Sequence, residues 1–267
     1  MNIAIIGAAG RMGLAVVRLA IAAGDSVVGA ADIATSAHGK DIGELAGIEN
    51  LGVAVGPDAA SAVLGADICI DFSSPKATPE VARAVMKERI GWVCGTTGID
   101  DAAKKAVSDA SKVVAVLHEA NMSIGVQILA DIVRDAVERL GISYDVEIVE
   151  THHRKKVDAP SGTALRLLEA VQEGRSNVQP VFARQGIVGA RPQPEVAVLA
   201  LRGGDVIGDH TVHLLGEGER LELTHRATSR ELFAHGALRA AHFLSGKSPG
   251  RYRMRDVLAS SRAPRTN

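Results

Sequence analysis

The chain has 267 residues, of which 46 % are hydrophobic and only 3 % aromatic, and its formal net charge is −1. This length allows one large domain or two modest ones, with a core built mainly from aliphatic side chains. The near balance of acidic and basic residues gives no electrostatic basis for nucleic acid or an anionic membrane as the main partner.

The cysteine content and the apolar segments indicate the compartment. The two cysteines, Cys69 and Cys94, lie in apolar, strand-like runs, which disfavours a disulfide framework and favours a reducing environment. No segment reaches the roughly 20 apolar residues that a membrane-spanning helix needs, and the first residues lack the features of a signal peptide. We therefore expect a cytoplasmic protein with no membrane partner.

The first half of the chain alternates short apolar runs with segments of helical spacing. Continuous apolar runs are typical of buried parallel strands, and the intervening helices cover both faces of such a sheet. This pattern predicts a Rossmann-type parallel sheet. The predicted strands are NIAIIG, DSVVGAAD, ADICIDFSS, GWVCGTTG and VVAVLHEAN, and the predicted helices are RMGLAVVRLAIAAG, PEVARAVMKERI and DDAAKKAVSDASK.

The second half of the chain has a different pattern. A predicted helix from about Ser123 to Leu140 is followed by longer strands in which polar and apolar residues alternate. Such alternation is typical of a mixed or antiparallel sheet with one solvated or interface-facing side. We predict an α/β fold with a dinucleotide-binding domain, residues 1–122, and an α+β substrate and oligomerisation domain with a mixed open sheet, residues 123–232. Residues 233–267 are expected to return to the first domain.

A glycine-rich turn, GAAGRMG, directly follows the first predicted strand. Gly7 suits a tight turn, Gly10 permits close approach of a pyrophosphate, and Gly13 lets the helix pack close to the strand. The positive end of that helix attracts the phosphates. We predict that the turn binds a dinucleotide, and a purely structural turn is the alternative.

Asp32 ends the second predicted strand, about 20 residues after the turn. A carboxylate at this place accepts hydrogen bonds from the ribose hydroxyls of NAD and repels a 2′-phosphate. The next residue is Ile33, so no adjacent arginine offsets the charge, and Arg11 is the nearby cation of the turn. We predict NADH as the preferred cofactor and NADPH as a usable second one. A helix cap is the alternative role for Asp32.

Three further turns, DFSSP, CGTTG and HEANMSIG, each follow a predicted strand. Ligands of open parallel sheets bind beyond the carboxyl ends of the strands. Gly95 and Thr97 are therefore candidates to contact the nicotinamide half of the cofactor, and a structural role for these turns is the alternative.

A basic cluster, THHRKKVDAPSGTA, precedes another predicted helix. Ser161 suits an N-cap and Gly162 exposes the first N–H groups, which together favour an anion site to which the Thr163 hydroxyl adds a donor. Histidine can also deliver a proton near neutral pH. The cluster favours an active site for a carboxylate-bearing substrate that accepts a hydride and a proton. A metal site, a solvated basic loop and binding of an anionic effector without chemistry are the alternatives.

Seven segments carry a resemblance to a known family: GAAGRMG, DFSSP, CGTTG, ETHHRKKVDAPSGTA, RGGDVIGDHTV, ERLELTHRATSR and MRDVL. Together they resemble dihydrodipicolinate reductase (4-hydroxy-tetrahydrodipicolinate reductase) of bacterial lysine and diaminopimelate biosynthesis, nearly from end to end. The histidine-lysine-PSGTA motif is the specific part. The resemblance implies NAD(P)H-dependent reduction of a cyclic dicarboxylate, 4-hydroxy-tetrahydrodipicolinate, to tetrahydrodipicolinate. It also implies a homotetramer built by the sheet of the second domain.

The resemblance implies a role for each matching residue. His152 is the general acid, and Lys156 binds the substrate and stabilises charge. No metal site is expected, and Arg154 and Lys155 have no assigned role. The remaining substrate contacts are His153, Ser161, Gly162 and Thr163, and the cofactor contacts are Gly7, Ala9, Gly10, Arg11, Met12, Gly13, Asp32, Phe72, Gly95, Thr97, Ala120 and Met122.

Two positions depart from the family pattern. Asp32-Ile33 replaces an acid followed by arginine, which favours NADH, and Met122 stands where many relatives have an aromatic residue, which favours a thioether contact instead of stacking. Two rival functions remain. One is another NAD(P)H reductase of an anionic imine or carbonyl, and the other is an NAD-sensing regulator without catalysis. The regulator would need a partner surface or a DNA-reading element, and the sequence indicates neither.

Overall fold

The computed structural model describes residues 1–260. They form two compact units, one of Met1–Ile124 together with the chain from Glu231 onward, and one of Gly125–Arg230. The predicted terminal segment 233–267 runs past residue 260, and residues 261–267 lie outside the described residues. None of the described helices combines the length and apolar character that crossing a bilayer requires.

Strands and helices alternate through residue 140, and strands dominate from there to residue 227. The strands are β1 (Asn2–Ile6), β2 (Ser26–Ala31), β3 (Val55–Gly56), β4 (Ile68–Asp71), β5 (Gly91–Cys94), β6 (Ala115–His118), β7 (Asp145–His152), β8 (Gln179–Val181), β9 (Glu195–Arg202), β10 (Gly208–Leu215), β11 (Arg220–Ala227) and β12 (Gly250–Tyr252). The α-helices are α1 (Arg11–Ala22), α2 (Ile42–Ala46), α3 (Ala59–Ala62), α4 (Thr78–Glu88), α5 (Asp101–Ala110), α6 (Ile124–Leu140), α7 (Gly162–Gly174), α8 (Glu231–Leu244) and α9 (Met254–Ala259). Short 3₁₀ turns occupy Thr35–Ala37 and Gly141–Ser143.

The first unit is built on a parallel seven-stranded sheet of order β12-β6-β5-β4-β1-β2-β3. The order reverses between β1 and β4, and in open sheets of this kind ligands bind at that switch point, beyond the carboxyl ends of the strands. Side chains of α1 and α8 pack on one face, and those of α3, α4 and α5 on the other. The predicted Rossmann-type architecture is confirmed.

The first strand explains why its sequence is uniformly apolar. Ile3 and Ile5 belong to the apolar cluster on one face of the sheet, whereas Ala4 and Ile6 belong to the cluster on the opposite face. All four side chains are at most 5 % exposed. Because both faces are covered, each position of the strand is buried and polar alternation is absent.

The second unit contains a mixed five-stranded sheet of order β11-β10-β7-β9-β8. Strand β10 runs antiparallel to both β11 and β7, while β9 runs parallel to both β7 and β8. Leu129 and Val133 of α6 and Leu167 of α7 pack with Ile148 of β7, so both helices cover the same face. The predicted mixed open sheet is confirmed. The helix-covered face of β7 also carries the polar residues Glu150 and His152.

Candidate active site

The glycine-rich turn joins β1 to α1 in a shape that excludes side chains at two positions. Gly7 has a φ of +73°, and a Cβ atom there would lie 2.6 Å from the backbone oxygen of Phe72. A Cβ atom at Gly13 would lie 2.5 Å from the backbone oxygen of Ala8. Left-handed φ favours glycine at the first position, and close packing of α1 against the turn requires it at the second. The positive φ of Gly7 agrees with the tight turn predicted there, whereas the close contact at Gly13 is with the backbone of the turn.

The start of α1 is open to an anion. Gly10 precedes the helix without a side-chain cap, and the first turn contains no acidic residue. The partial positive charge of the helix N-terminus is therefore uncompensated by the chain, and the exposed Arg11 adds a cation beside it. Met12 is half-buried, and Ala9 directs its N–H to Asp32.

Asp32 connects the glycine turn to the residues that follow β2. Its Oδ2 accepts the N–H of Ala9 at 2.9 Å, and its Oδ1 accepts the N–H of Ala34 at 2.8 Å. Each carboxylate oxygen has a second lone pair, so these bonds leave acceptor capacity for a ribose. A cavity of about 200 Å³ opens beside it. Its lining includes Gly7, Gly10, Asp32, Ile33, Phe72 and Glu80, and among residues 1–260 no lysine or arginine lines it.

Asp71 connects the DFSSP and CGTTG turns, although the sequence assigned it no role of its own. It ends β4 with a fully buried side chain that accepts the N–H of Ser73 at 2.9 Å and the hydroxyl of Thr96 at 3.5 Å. Burial raises the pKa of Asp71 above its ordinary value. The sequence signal was an acid at the end of an otherwise apolar buried strand.

The other predicted cofactor contacts of the first unit occupy different environments. The ring of Phe72 lies against Gly95, where a Cβ atom would come within 2.6 Å of its Cδ1. Thr97 and Ala120 are exposed. Met122 is only 2 % exposed, and its side chain packs in the core with Ala237 of α8. A thioether contact between Met122 and the cofactor stays a prediction.

In the second unit, β7 brings two polar side chains onto its helix-covered face. Val146 and Ile148 occupy this face as core residues, and Glu150 and His152 continue it with exposures of 0 % and 7 %. Successive side chains of a strand alternate between faces, so residues two apart lie side by side. Nδ1 of His152 lies 2.5 Å from Oε2 of Glu150.

Glu150 receives hydrogen bonds from three elements. Arg202 of β9 donates to both oxygens at 2.8 Å, and the backbone N–H of Ser161 donates to Oε1 at 3.0 Å. Burial alone would raise the pKa of Glu150, but the bonds from Arg202 and His152 outweigh it and hold that pKa below its usual value. Glu150 is therefore an ionised acceptor at neutral pH.

His152 is neutral in the free protein near pH 7. Burial lowers its pKa, although the hydrogen bond and charge of Glu150 oppose that effect. Nε2 of the ring lies beside Gly208, where a Cβ atom would be 2.9 Å away. Nδ1 bonds to Glu150, and no hydrogen bond to Nε2 is formed by any residue from 1 to 260. Nε2 is the ring atom available for proton transfer.

Ser161 forms the N-cap of α7, as predicted. Its hydroxyl oxygen accepts the N–H of Ala164 at 3.2 Å and lies 3.1 Å from Nε2 of His210. Burial, followed by the charge of His152, lowers the pKa of His210 to about 3. The rings of His210 and His152 meet edge to face with centroids 5.1 Å apart. His210 therefore links the helix N-terminus to His152 without adding positive charge.

The remaining residues of the basic cluster divide by exposure. Arg154 and Lys155 are exposed, whereas Nζ of Lys156 lies 2.7 Å from Oδ1 of Asp158. Lys156 is near enough for its charge to lower the pKa of His152, after the larger effect of burial. His153 donates its backbone N–H to Val206 at 2.7 Å.

The other two predicted substrate contacts lie at the start of α7. Gly162 is exposed, and a Cβ atom there would meet nothing within 4 Å, so open space faces the helix start. Thr163, in the first turn, is half-buried.

The structure thus brings His152 and Ser161 to the carboxylate of Glu150, to which the sequence assigned no role, and places Lys156 near enough to influence His152 by its charge. Glu150, Arg202 and His210 received no role from their motifs. The available signal was the helix-facing pattern of β7, where two apolar residues are followed by Glu150 and His152. His210 likewise precedes Val212 and Leu214 on the buried face of β10. Across residues 1–260, no group of three or more His, Cys, Asp or Glu is placed to hold a metal ion.

Comparison with known sequences identifies relatives of the whole chain. The N-terminal profile of dihydrodipicolinate reductase matches residues 1–122, and the C-terminal profile matches residues 125–258. The 4-hydroxy-tetrahydrodipicolinate reductase of Anaeromyxobacter dehalogenans strain 2CP-C is 51 % identical over 262 residues, covering 96 % of this chain and 97 % of the relative. That of Halorhodospira halophila is 46 % identical, covering 97 % and 98 %.

Solved structures share the fold. A dipicolinate-bound dihydrodipicolinate reductase from Paenisporosarcina sp. TG-14 is similar with a TM-score of 0.73 at 22 % identity, over 95 % of this chain and 97 % of that one. An amine dehydrogenase from Mycobacterium smegmatis shares the fold at a TM-score of 0.60 and 13 % identity, over 94 % of both chains. The fold is thus shared by enzymes with different names, whereas the sequence matches are specific to one family. They confirm the resemblance, and this chain belongs to the dihydrodipicolinate reductase family.

Proposed function

We propose that this protein is an NAD(P)H-dependent oxidoreductase that reduces 4-hydroxy-tetrahydrodipicolinate to tetrahydrodipicolinate in lysine and diaminopimelate biosynthesis. The observation that carries the proposal is the joining of His152, through Glu150, to the N-terminus of α7. This arrangement combines a proton donor with an anion site, which suits a small dicarboxylate. The names of the relatives support the same substrate.

The start of α7 and the side chains around it are suited to the substrate carboxylates. Ser161, Gly162 and Thr163 present first-turn N–H groups and hydroxyls, and Lys156 adds a charge that a carboxylate would share with Asp158. His153 lies next to His152 at the end of β7. Preorganised donors of this kind stabilise negative charge as it develops.

His152 takes the role of proton donor through a change in its pKa on substrate binding. In the free protein burial keeps that pKa low. A dianionic substrate brings negative charge to the ring, which favours the imidazolium and raises the pKa toward neutrality. The protonated ring then delivers its Nε2 proton to the substrate, while Glu150 stabilises the cation through Nδ1.

The first unit fits a dinucleotide. The glycine turn leaves no space for side chains at Gly7 and Gly13, and the open start of α1 suits a pyrophosphate. When bound, the reduced nicotinamide supplies the hydride. Asp32 and Glu80 both line the adjoining cavity, and their negative charge disfavours a 2′-phosphate. We therefore propose NADH as the preferred cofactor, with NADPH as a usable second one.

The second unit also carries apolar surface suited to self-association. Phe182, Ile187 and Leu201 are each more than half exposed. Large exposed apolar side chains in one region are typical of interaction surfaces. We propose a homotetramer in the cytoplasm, where the two buried free thiols, Cys69 and Cys94, stay reduced. Analytical ultracentrifugation tests the assembly, and a single monomer species at micromolar concentration would contradict it.

The activity is tested with a coupled assay. The condensation product of pyruvate and aspartate semialdehyde is generated in the cuvette, and oxidation of NADH and of NADPH is followed by absorbance. We expect oxidation that depends on the condensation product, with the higher kcat/KM for NADH. Absence of turnover with both cofactors contradicts the proposed reaction. A kcat/KM for NADPH about tenfold above that for NADH contradicts the role of Asp32.

A further inference from the structure

Glu150 is a charged group inside an apolar layer, and the structure compensates it fully. Its side chain is 0 % exposed, and Val146 and Ile148 precede it on the same face of β7. An uncompensated carboxylate in such a place is strongly destabilising. Here Oε1 accepts from Arg202 at 2.8 Å and from the N–H of Ser161 at 3.0 Å. Oε2 accepts from Arg202 at 2.8 Å and faces Nδ1 of His152 at 2.5 Å.

These four contacts determine which nitrogen of His152 carries the proton in the neutral ring. An ionised carboxylate only accepts hydrogen bonds, so Nδ1 must donate to it. In the neutral ring the other nitrogen, Nε2, then holds the lone pair. Gly208 has no side chain to cover Nε2, and a Cβ atom there would be 2.9 Å away. Glu150 thus holds the Nδ1 edge of the His152 ring, and no side chain at position 208 covers the Nε2 edge.

The same carboxylate also holds the anion site. The N–H of Ser161, at the N-cap of α7, donates to Oε1, while His152 bonds to Oε2. Arg202 bridges both oxygens and additionally donates to the backbone oxygen of Asp158 at 2.7 Å. The end of β7, the segment before α7 and the helix N-terminus are thereby fixed to one residue.

We propose that Glu150 is the positioning residue of the reaction, which orients His152 for proton transfer from Nε2 and aligns it with the N-terminus of α7. The kinetic part of this inference rests on the proposed function, because it assumes that His152 is the proton donor. The structural part, which concerns the tautomer and orientation of His152, does not depend on the reaction.

Several titratable or charged groups lie around His152. Glu150 lies on the same strand, Arg202 on β9, His210 on β10, and Lys156 with Asp158 in the segment before α7. The charges of Lys156 and Arg202 lower the pKa of His152, after burial, and that of Glu150 raises it. Replacing Glu150 by a neutral residue should therefore lower this pKa further.

The first test is nitrogen NMR of the histidine side chains in the protein without ligands. We expect wild-type His152 to be the Nδ1–H tautomer, and the pKa of His152 in Glu150→Gln to fall by about one unit or more. The matched control is Glu147→Gln, since Glu147 lies on the opposite face of β7 and also pairs with two arginines, Arg184 and Arg191. It should leave His152 unchanged.

The second test is the pH dependence of kcat/KM with the condensation product and NADH. We expect Glu150→Gln to lower kcat at least about 10- to 100-fold, which is the usual loss when a histidine that binds a metal loses its orienting partner. The pH above which kcat/KM declines should also move down, because a weaker base loses its proton earlier. Glu147→Gln should keep the wild-type profile.

The outcomes distinguish the positioning role of Glu150 from the proton-donor role of His152. An unchanged tautomer and pKa of His152 in folded Glu150→Gln overturns the positioning role. Altered NMR signals with normal kcat instead overturn His152 as proton donor and leave its contact with Glu150 established. If Glu150→Gln does not fold, Glu150→Asp carries the same measurements, because it retains the charge that Arg202 requires and shortens the reach to Nδ1. Wild-type values in Glu150→Asp would then overturn the proposal.

Discussion

The glycine turn of the first unit and the cluster of Glu150, His152 and Arg202 in the second are built in opposite ways, although we propose an anionic ligand for each. Backbone N–H groups and the absence of side chains at Gly7 and Gly13 shape the turn. The cluster consists of ionisable side chains, with Glu150 and His152 buried and Arg202 bridging strands. A backbone site depends on shape and responds little to pH, whereas a buried ionic site depends on the protonation of each member. Substitutions that add volume should therefore affect the glycine turn more. Changes in pH or side-chain charge should affect the cluster around Glu150 more.

The largest expected effect is on catalysis in the second unit. His152→Gln retains a side-chain amide that can donate to Glu150 but removes the transferable proton. We expect kcat to fall about 10²- to 10⁴-fold with little change in KM, since a positioned general acid contributes that much. Steady-state kinetics checks this, with His213→Gln on the open face of β10 as control. A near-normal kcat in the variant would contradict the assignment of the acid.

The second effect should be confined to the first unit. In Gly13→Ala the new methyl group would lie 2.5 Å from the backbone oxygen of Ala8, so α1 must shift. Overpacking of this kind costs up to about 3 kcal/mol. We expect a lower Tm and weaker NADH binding by fluorescence titration. Gly56→Ala is the control, because its nearest contact would be an ordinary 3.7 Å. Equal NADH affinity in the two variants would count against the proposed role of the turn.

Acidification should weaken the second unit first. The pKa of His210 is lowered to about 3 in the folded protein, against roughly 6.5 in the unfolded chain. Between these values the unfolded chain binds a proton that the folded state does not, so stability is present above about pH 6.5 and is lost as the pH falls. At about pH 5 the loss from His210 alone is about 2 kcal/mol.

Hydrogen exchange resolved by peptide measures this loss. From about pH 7 to pH 5, and after correction for the intrinsic exchange rate, protection should fall more in β10 than in β1. Burial also lowers the pKa of His152 and His225, which adds to the effect in the second unit. Burial also lowers the pKa of His118, so the first unit should lose some stability on acidification as well. Equal losses of protection in both strands would contradict a pH response centred on the second sheet.

The smallest expected effect concerns the partner of Lys156. Asp158 is more than half exposed and pairs with Nζ at 2.7 Å. Such a pair contributes at most about 1 kcal/mol. In Asp158→Asn, Lys156 has no carboxylate partner to give up when it binds the substrate. KM should therefore fall by up to about fivefold. Asp205→Asn provides a control in a neighbouring exposed loop, and a raised KM in Asp158→Asn would show instead that the aspartate orients the lysine.

The two regions also differ in what the sequence could predict. The glycine turn is local, since strand, turn and helix are consecutive and each glycine has a backbone reason at a fixed spacing. For the same reason Ser161 was predicted as an N-cap. The strands of the first unit could also be predicted, because burial on both faces of the sheet produces continuous apolar segments in the sequence.

The partners of Glu150 could not be predicted in this way. Arg202 and His210 lie 52 and 60 positions further along the chain and reach Glu150 and His152 only through the pairing of β7 with β9 and β10. Strand order and register fix these neighbours, and local spacing contains neither. The partly exposed Lys156 was predicted by motif, but its pairing with Asp158 depends on side-chain geometry that a sequence pattern does not contain.

Asp32 constrains how the proposed preference for NADH could change. Its carboxylate holds the N–H groups of Ala9 and Ala34, so replacing it would loosen the glycine turn while removing the charge that disfavours a 2′-phosphate. Ile33, in contrast, is 92 % exposed and lines the same cavity. An arginine at position 33 would add a phosphate partner and keep both hydrogen bonds. If the proposed preference for NADH holds, a substitution at position 33 is therefore the change toward NADPH that keeps the hydrogen bonds of Asp32.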